Sequence, residues 1–286
     1  MHLVHAYAER PPLMANPHAD RVKKIAGLVG RSARSRAQLL LIEGPQAVRE
    51  LVTFRPATVR DIYITDEVAE RDPELFSRLC QATRWVHPVT PEVAHTMSRD
   101  AQGILATATP DCIESELPDN IRIGGTLVII AQGRDPGNVG TIIRTSDAMG
   151  AQAVLTVRGT VDIASPKVIR ASAGSLFHLP VVSFPSFHDA VITAKQRGAR
   201  ILGTSGSAVA RDLTDLMCEG IRGTGLLTHA HAWVMGNEAQ GMSYAEMEAC
   251  DELVRITMSG HAESMNVATA AAMCLYASQT VRMNHI

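Results

Sequence analysis

The stretch GRDPGNVGTIIRTSDAMG, residues Gly133–Gly150, decides how this chain folds, because it leads from an apolar run through a glycine-rich turn into a helical pattern. Two later segments also join an apolar run to a polar turn, WVMGNEAQGMS at Trp233–Ser243 and ITMSGHAESMNVATAAAMCLY at Ile256–Tyr276. Ligand-binding groups concentrate on such turns, since a rigid sheet holds them in place while their backbone stays open to a ligand. The three segments therefore predict one composite site.

Composition excludes several broad classes of protein. The chain has 286 residues, 46% hydrophobic and 20% charged, which fits a folded protein of two ordinary domains or one large one and argues against disorder. Its formal net charge of −2 gives no overall attraction to nucleic acid. Any such attraction must therefore be local.

Cysteine usage and the N-terminus indicate the compartment. The five cysteines are scattered without CxxC or Cys/His spacing, which predicts reduced thiols, and the pair His229 and His231 has no partner for a metal site. The first residues have no signal-peptide pattern, and no apolar run is long enough to span a bilayer. We therefore expect a soluble cytoplasmic protein with neither a metal nor a membrane partner.

Strand patterns alternate with helical patterns along the chain, which predicts α/β architecture, and the alternation over residues 126–286 predicts a largely parallel sheet covered on both faces. The polar, turn-rich residues 113–125 predict a linker between an N-terminal domain, residues 1–112, and a C-terminal domain, residues 126–286. In the C-terminal domain we expect a last helix from about Ser264 to Val281 and strands at Thr126–Ala131, Ala153–Val157, Arg200–Thr204, Ala232–Met235 and Leu253–Thr257.

The N-terminal domain shows the same alternation. Its expected strands are Gln38–Ile42, Asp61–Thr65, Trp85–Val89 and Ile104–Thr109. Its expected helices are Ala19–Val29, Gln46–Thr53, Pro73–Thr83 and Pro91–Met97.

A basic cluster lies between Arg21 and Ile42, a stretch without any acidic residue. Such clustering is typical of a surface that contacts phosphate backbones, although a solvated helix and loop has the same composition. Because only 4% of the residues are aromatic, we expect no base-stacking platform and RNA held by its shape and phosphates. The candidate RNA-binding residues are Arg21, Lys23, Lys24, Arg31, Arg34 and Arg36.

The helix predicted in the first segment places Arg144 away from its apolar stripe. Asn138 stands where a residue that caps the helix N-terminus is expected. Arg144 is then placed to contact a ligand phosphate, or it is a surface arginine on a well-capped helix. The stripe itself consists of Val139, Ile142, Ile143, Ser146 and Met149.

The other two segments carry polar side chains at equivalent points. Ser243 and Glu246 have the spacing of a capping box, which leaves the carboxylate of Glu238 outside that role. Glu238 then binds a ligand or is solvated in a turn. Ser264 and Asn266 open the last predicted helix.

Motifs for other chemistries are missing, since the chain has no GxGxxG after a first strand, no GxxxxGK[ST] and no GxSxG. The sequences DPGNVGTIIRTSDAMGA, VMGNEAQGMS and ITMSGHAESMNVATAAAMCLY instead resemble motifs one, two and three of the SpoU (TrmH-type) family of SPOUT RNA methyltransferases, in order and spacing. The stretch NPHADRVKKIAGLVGRSARSRAQLLLIEGPQAVREL resembles the ribosomal-protein-like substrate-binding domain often fused in front of that domain. Departures are small: Thr257 stands where proline is usual, and Met265 where leucine is usual.

The resemblance implies transfer of a methyl group from S-adenosylmethionine (SAM) to a ribose 2′-hydroxyl of RNA, by a homodimer that shares its sites between subunits. It implies a parallel-sheet SPOUT domain with a C-terminal trefoil knot, preceded by a smaller α/β RNA-binding domain. The catalytic positions it gives are Asn138, Arg144, Glu238, Ser264 and Asn266. The cofactor-binding positions it gives are Thr204, Ser205, Gly206, Gly236, Ile256, Met258 and Met265.

Two questions stay open at this point. The family's usual mechanism makes the motif-one arginine a general base, but arginine stays protonated in proteins. We therefore expect Arg144 to stabilise the developing alkoxide and to anchor the adjacent phosphate. Ribosomal RNA is the expected substrate because of the N-terminal domain, with transfer RNA or a non-catalytic role in RNA binding or ribosome assembly as alternatives.

Overall fold

A computed structural model describes residues 11–117, 119, 125–207, 209–237 and 241–285 of the chain. The chain forms two compact units. Unit 1 comprises Met1–Ile113 and Asp162–His178, and unit 2 comprises Glu114–Val161 and Leu179–Ile286. The first border falls beside the predicted start of the linker. Residues Asp162–His178 pack with unit 1, although they lie inside the predicted C-terminal domain.

Unit 1 contains a four-stranded sheet of mixed direction, in the order β1-β4-β2-β3. Its strands are β1 Leu40–Glu43, β2 Val59–Ile64, β3 Val86–Pro88 and β4 Ile104–Ala108. Strand β4 runs antiparallel to both β1 and β2, and only β2 and β3 are parallel. The sheet of unit 1 is therefore mixed, because β4 inserts between β1 and β2 in the opposite direction.

The described residues of unit 1 form seven α-helices beside this sheet, and α1 shows how they are held. Val22 and Ile25 of α1 are buried with Leu41 and Tyr63 of the sheet, so the apolar side of the helix faces the core. Among the helices, Arg31–Ala37 and Asp66–Arg71 were not predicted. The helices are α1 Asp20–Gly27, α2 Arg31–Ala37, α3 Pro45–Phe54, α4 Asp66–Arg71, α5 Pro73–Ala82, α6 Pro91–Met97 and α8 Pro166–Ala171.

Ion pairs within unit 1 hold the segment Asp162–His178. Arg34 is buried and donates to Asp162, 2.5 Å away. Arg170 pairs with Glu43 and, at 2.8 Å, with Asp100. Buried charges are costly unless they are paired, so these contacts fix where the segment lies.

Unit 2 contains a seven-stranded sheet in the order β7-β6-β5-β10-β8-β11-β9, and every neighbouring pair is parallel. The predicted α/β fold with a parallel sheet is confirmed here. Strand β7 was not predicted, because four residues after a proline are too short to show a periodic pattern. The strands are β5 Thr126–Ile130, β6 Ala153–Val157, β7 Val181–Phe184, β8 Arg200–Thr204, β9 Arg211–Asp212, β10 His231–Met235 and β11 Glu252–Arg255.

The central strands β5, β6 and β10 are buried along their whole length, as expected where helices cover both faces of a parallel sheet. None of the described helices is long and apolar enough to cross a membrane. The helices of unit 2 are α7 Pro136–Ala148, α9 Phe187–Gln196, α10 Leu213–Ile221, α11 Tyr244–Glu248 and α12 Val267–Met283.

Candidate active site

A cavity of about 230 Å³ lies where the adjacent strands β10, β8 and β11 end at their carboxyl edge. Ligands of parallel α/β sheets bind at this edge. All the residues predicted to bind the cofactor line the cavity, from Thr204 to Met265. Its other lining residues are Asn237, Gly241, Val254, Glu263, Ser264, Val267 and Ala270.

The loop that leaves β8 is fixed to both neighbouring strands. The hydroxyl of Thr204 donates to the carbonyl of Val234 on β10, 2.8 Å away. The backbone N–H of Ser205 donates to the carbonyl of Val254 on β11, 2.9 Å away. These two bonds hold the cavity wall at Thr204, Ser205 and Gly206 in one position.

The loop after β10 closes tightly on itself at Gly236. Asn237 and Gly241 exchange two backbone hydrogen bonds, each of 2.9 Å. A Cβ atom added at Gly236 would lie 2.7 Å from the carbonyl carbon of Gly241 and 2.8 Å from the nitrogen of Met242. Because these are backbone atoms, only glycine fits without moving the loop.

A chain of polar contacts joins this loop to the end of β5. The amide of Asn237 donates to Gln132 at 3.4 Å, and the amide of Gln132 donates to Glu246 at 3.2 Å. Glu246 also accepts from the backbone of Ser243, which completes the predicted capping box of α11. Glu238, predicted to be catalytic, lies outside the described residues.

Asn138 and Asn266 meet at the N-termini of α7 and α12. The amide of Asn266 donates to the amide oxygen of Asn138, 3.0 Å away. Asn266 also caps α12, since its side-chain oxygen accepts from Ala268 at 2.8 Å. The structure therefore brings together two of the predicted catalytic residues, and Ser264 lies in the cavity wall rather than at the helix start.

The predicted cap at Asn138 is wrong. The residue that caps α7 is Asp135, whose carboxylate accepts from the backbone N–H of Asn138 at 2.8 Å. The sequence does indicate a cap at Asp135, because proline is favoured at the first position of a helix and the capping residue precedes that position. Asn138 is thereby available for its contact with Asn266.

Arg144 is exposed on α7, away from the buried stripe, as predicted. It is not part of the cavity wall. None of the described residues that line the cavity is a lysine or an arginine. The cavity of a single described chain therefore contains no cationic side chain to face an oxyanion.

Asp212 and Thr257 form a further contact near the third segment, which sequence reasoning missed. The hydroxyl of Thr257 donates to the carboxylate of Asp212, which also accepts from the backbone of Thr214 at 2.8 Å. These hydrogen bonds, with Thr257 the larger influence, lower the pKa of Asp212. The contact ties the chain after β11 to the start of α10.

The predicted RNA-binding residues of unit 1 divide into three groups. Arg21 is exposed but pairs with Asp61 at 2.5 Å. Arg34 is buried and donates to Asp162 and to the carbonyls of Leu28 and Val29. It is therefore inaccessible to RNA, and its prediction as an RNA-binding residue is wrong. The exposed members are Lys23, Lys24, Arg31 and Arg36.

Among the described residues, no group of three or more His, Cys, Asp or Glu side chains is placed to hold a metal ion. Burial raises the pKa of Cys274 and of Cys250 to about 12, so neither thiol is a ready nucleophile. The site therefore consists of a partly apolar cavity with amide and hydroxyl groups at its rim.

Known proteins share this fold and much of this sequence. The 23S rRNA (guanosine-2′-O-)-methyltransferase RlmB of Bordetella pertussis is 30% identical over 250 residues, which are 85% of this chain and 97% of that protein. The 23S rRNA (guanosine(2553)-2′-O)-methyltransferase RlmP of Bacillus subtilis is 30% identical over 265 residues, 90% of this chain and 95% of that protein. The SpoU methyltransferase AviRb from Streptomyces viridochromogenes, in complex with its cofactor AdoMet, has a TM-score of 0.74 at 27% identity, covering 93% of this chain and 98% of that chain.

The relatives, together with the parallel sheet and the cavity at its carboxyl edge, place the chain among the α/β enzymes of the methyltransferase class. Residues 125–276 match the SpoU rRNA Methylase family. The chain belongs to this family, and the resemblance found in its three segments is confirmed.

Proposed function

We propose that the protein transfers the methyl group of SAM to a ribose 2′-hydroxyl of 23S ribosomal RNA, with guanosine as the target nucleoside. The observation that carries this is the gathering of all predicted cofactor positions around one cavity, next to a helix that begins with the Asn138–Asn266 contact. The names of the RlmB and RlmP relatives support the RNA and the nucleoside.

The residues present fit SAM. Ile256, Met258 and Met265 give the cavity an apolar, polarisable wall of the kind that suits an adenine ring. The turns after β8 and β10 offer backbone groups, and glycine at Gly206 and Gly236 allows close approach to them. When bound there, SAM supplies an electrophilic methyl group on a sulfonium.

The chain's own residues then have to orient the ribose and stabilise charge. A ribose hydroxyl is a poor nucleophile, so alignment of the reacting atoms and stabilisation of the developing alkoxide are what the protein must supply. We assign the second task to Arg144, which also anchors the adjacent phosphate. Asn138, Asn266, Ser264 and Glu238 are assigned to positioning.

The position of Arg144 supports a site shared between two copies of the chain. Arg144 lies outside the wall of the described cavity of its own chain. We therefore propose a homodimer in which Arg144 of one subunit faces the cofactor cavity of the other. A closed two-fold dimer would complete both sites at once.

The two units divide the work. We assign RNA recognition to unit 1, through Lys23, Lys24, Arg31 and Arg36, and methyl transfer to unit 2. A trefoil knot in unit 2 is part of the proposal, supported by the position of β10 between the earlier strands β5 and β8. The bacterial origin of the RlmB and RlmP relatives supports the cytoplasm as the place of the reaction.

Transfer of labelled methyl groups tests the proposal. The protein is incubated with methyl-labelled SAM in three separate reactions, which contain unmodified 23S rRNA, 16S rRNA or transfer RNA. We expect label in 23S rRNA, in a dinucleotide that resists alkaline hydrolysis, because a methylated 2′-oxygen cannot attack its phosphate. Label on a base, label confined to transfer RNA, or RNA binding without any transfer would overturn it.

A further inference from the structure

Three aromatic rings stand side by side at the β3 edge of the unit 1 sheet. Tyr63 on β2 is the register partner of His87 on β3, and their ring centres are 5.0 Å apart with planes tilted by 19°. Trp85, two residues before His87, has its ring centre 6.4 Å from that of His87 with planes tilted by 10°. Tyr63 and His87 are buried, whereas Trp85 is 47% exposed. The row of rings therefore ends in a ring that faces solvent.

Cations accompany this row of rings. The guanidinium of Arg84, itself exposed, lies 4.7 Å from the centre of the Trp85 ring. At the inner end, Arg21 donates to the hydroxyl of Tyr63 at 3.0 Å and to the carboxylate of Asp61 at 2.5 Å. The charge of the Asp61 carboxylate is thus balanced by Arg21 within the cluster. The outer end carries the charge of Arg84 without a carboxylate partner among the ion pairs of the described residues.

An exposed indole ring with a guanidinium over it is suited to bind an unpaired nucleobase by stacking. Bases stack on aromatic rings and on arginine planes, and every base offers such a face. A cation over the ring strengthens the attraction. Arg21 of the aromatic cluster lies on α1, the same helix that exposes Lys23 and Lys24, so the cluster and the basic helix are joined through Arg21.

We propose that Trp85 and Arg84 form a platform on which an unpaired base of the RNA substrate stacks, while Lys23 and Lys24 contact the neighbouring phosphates. This rests on the proposed function in that the partner is the RNA to be methylated. It departs from the expectation that the chain has no base-stacking platform. A low aromatic content of the whole chain does not prevent its few rings from gathering at one edge.

Tryptophan fluorescence tests the platform directly, because the chain has two tryptophans and Trp233 is fully buried. The probes are single-stranded oligoadenylate RNA and a blunt RNA duplex with the same number of phosphates. We expect oligoadenylate to quench the emission of Trp85. Trp85→Ala should weaken binding of oligoadenylate about tenfold, as the loss of one stacked base does, and leave binding of the duplex unchanged.

Three further variants make the result specific. Trp85→Phe keeps a ring and should retain most of the affinity, whereas Trp85→Leu keeps apolar volume without a ring and should bind like Trp85→Ala. Phe54, 49% exposed on the same unit with its ring 4.4 Å from that of His178, provides the matched control. Phe54→Ala should bind both probes like the wild type.

The outcomes separate the platform from the proposed function. Absence of quenching with unchanged affinity, or an equal loss for oligoadenylate and duplex, overturns the platform even if 23S rRNA is methylated. Specific loss in Trp85→Leu together with no methyl transfer to any RNA supports the platform and overturns the proposed function. When both hold, Trp85→Leu raises the KM for 23S rRNA about tenfold and leaves kcat and SAM affinity unchanged.

Discussion

The amide of Asn266 donates a 3.0 Å hydrogen bond to the amide of Asn138, a residue 128 positions earlier in the chain. Because Asn266 also caps α12, this bond links the N-terminus of α12 to the first turn of α7. It directly connects the first and third of the three segments singled out in the sequence. Asn266 lies between Met265 and Val267, which both line the cavity, so a change at either asparagine acts next to the cavity wall.

The first prediction is that Asn138 and Asn266 act as a pair. Asn138→Ala removes the acceptor, and Asn266→Ser removes the donor but keeps a residue that caps helices well. Each variant should lower kcat/KM about 2- to 10-fold, the value of one net hydrogen bond. The double variant should lose less than the product of the two effects, measured as a double-mutant cycle. Effects that simply multiply would show that the bond has no catalytic role.

The second prediction uses two glycines of the same cavity. Gly236→Ala brings a Cβ atom within 2.7 Å of backbone and should abolish detectable SAM binding in calorimetry. Gly206→Ala is the matched variant for folding, since a Cβ atom there meets nothing within 4 Å; it should keep the wild-type thermal midpoint, and a loss of SAM affinity in it would report close approach of the cofactor. Saturating SAM should stabilise the wild type by about 2.7 kcal/mol at a hundredfold excess over Kd. Normal SAM binding by Gly236→Ala would contradict the assigned cavity.

The third prediction concerns the basic surface of unit 1. Replacement of Lys23, Lys24, Arg31 and Arg36 with alanine should flatten the dependence of RNA affinity on salt, by about 0.7–0.9 in logarithmic slope for each lost phosphate contact. SAM affinity should not change. An unaltered slope would mean that these side chains are merely solvated.

Arg34→Ala is the matched variant for that experiment, because Arg34 belongs to the same basic stretch but is buried against Asp162. It should leave the salt slope unchanged and lower the free energy of unfolding by about 1–3 kcal/mol, since it leaves the buried carbonyl of Leu28 and the carboxylate of Asp162 without their donor. A changed salt slope with wild-type stability would return Arg34 to the RNA-binding set.

The difference between Arg34 and its neighbours illustrates what sequence can predict. Glycines and asparagines after apolar runs marked the cavity, because parallel strands bring their carboxyl ends to one edge. The burial of Arg34 depends on Asp162, 128 positions later, and the position of Arg170 depends on Glu43, 127 positions earlier. Local pattern does not encode such pairings.

The aromatic neighbours of Trp85 could not be predicted from the sequence for a related reason. Its neighbours in space, His87 and Tyr63, are brought together by the pairing of β2 with β3. A composition averaged over the chain contains no information about this pairing. Asp135 differs, since the proline that follows it marked the cap of α7 in the sequence itself.

The fourth prediction is a loss of stability at acid pH through His231. Burial lowers the pKa of His231 to about 4, its N–H donates to the carbonyl of His229, and its other nitrogen accepts from Ser278 at 2.7 Å. Between about pH 6.5 and pH 4, the unfolded chain therefore binds more protons than the folded chain. The stabilisation is complete above this window, and about 3 kcal/mol is lost as the pH falls through it.

Urea unfolding followed by Trp233 fluorescence measures this loss, since the Trp233 N–H donates to the same Ser278 hydroxyl. His231→Gln should be less stable at pH 7 but show a flatter pH dependence. His229→Gln, at an exposed histidine two residues earlier, should follow the wild type. A wild-type curve as flat as that of His231→Gln would disprove the role of His231.

The last prediction concerns Arg144 and the shared site. Arg144→Ala should fold and bind SAM normally, because the side chain lies outside both the core and the cavity wall, yet lose about 10²–10³ in kcat as one missing electrostatic stabiliser does elsewhere. Arg222→Ala, at another exposed arginine of unit 2, is the control and should stay active. If Arg144 serves the partner's cavity, Arg144→Ala and the inactive Gly236→Ala should complement each other when equal amounts are unfolded and refolded together. Half of the dimers are then mixed, and each mixed dimer has one complete site of two. We therefore expect about one quarter of wild-type activity. Refolding either variant alone should restore none. Mixed dimers that remain inactive would place Arg144 and the cofactor cavity of one site in the same chain.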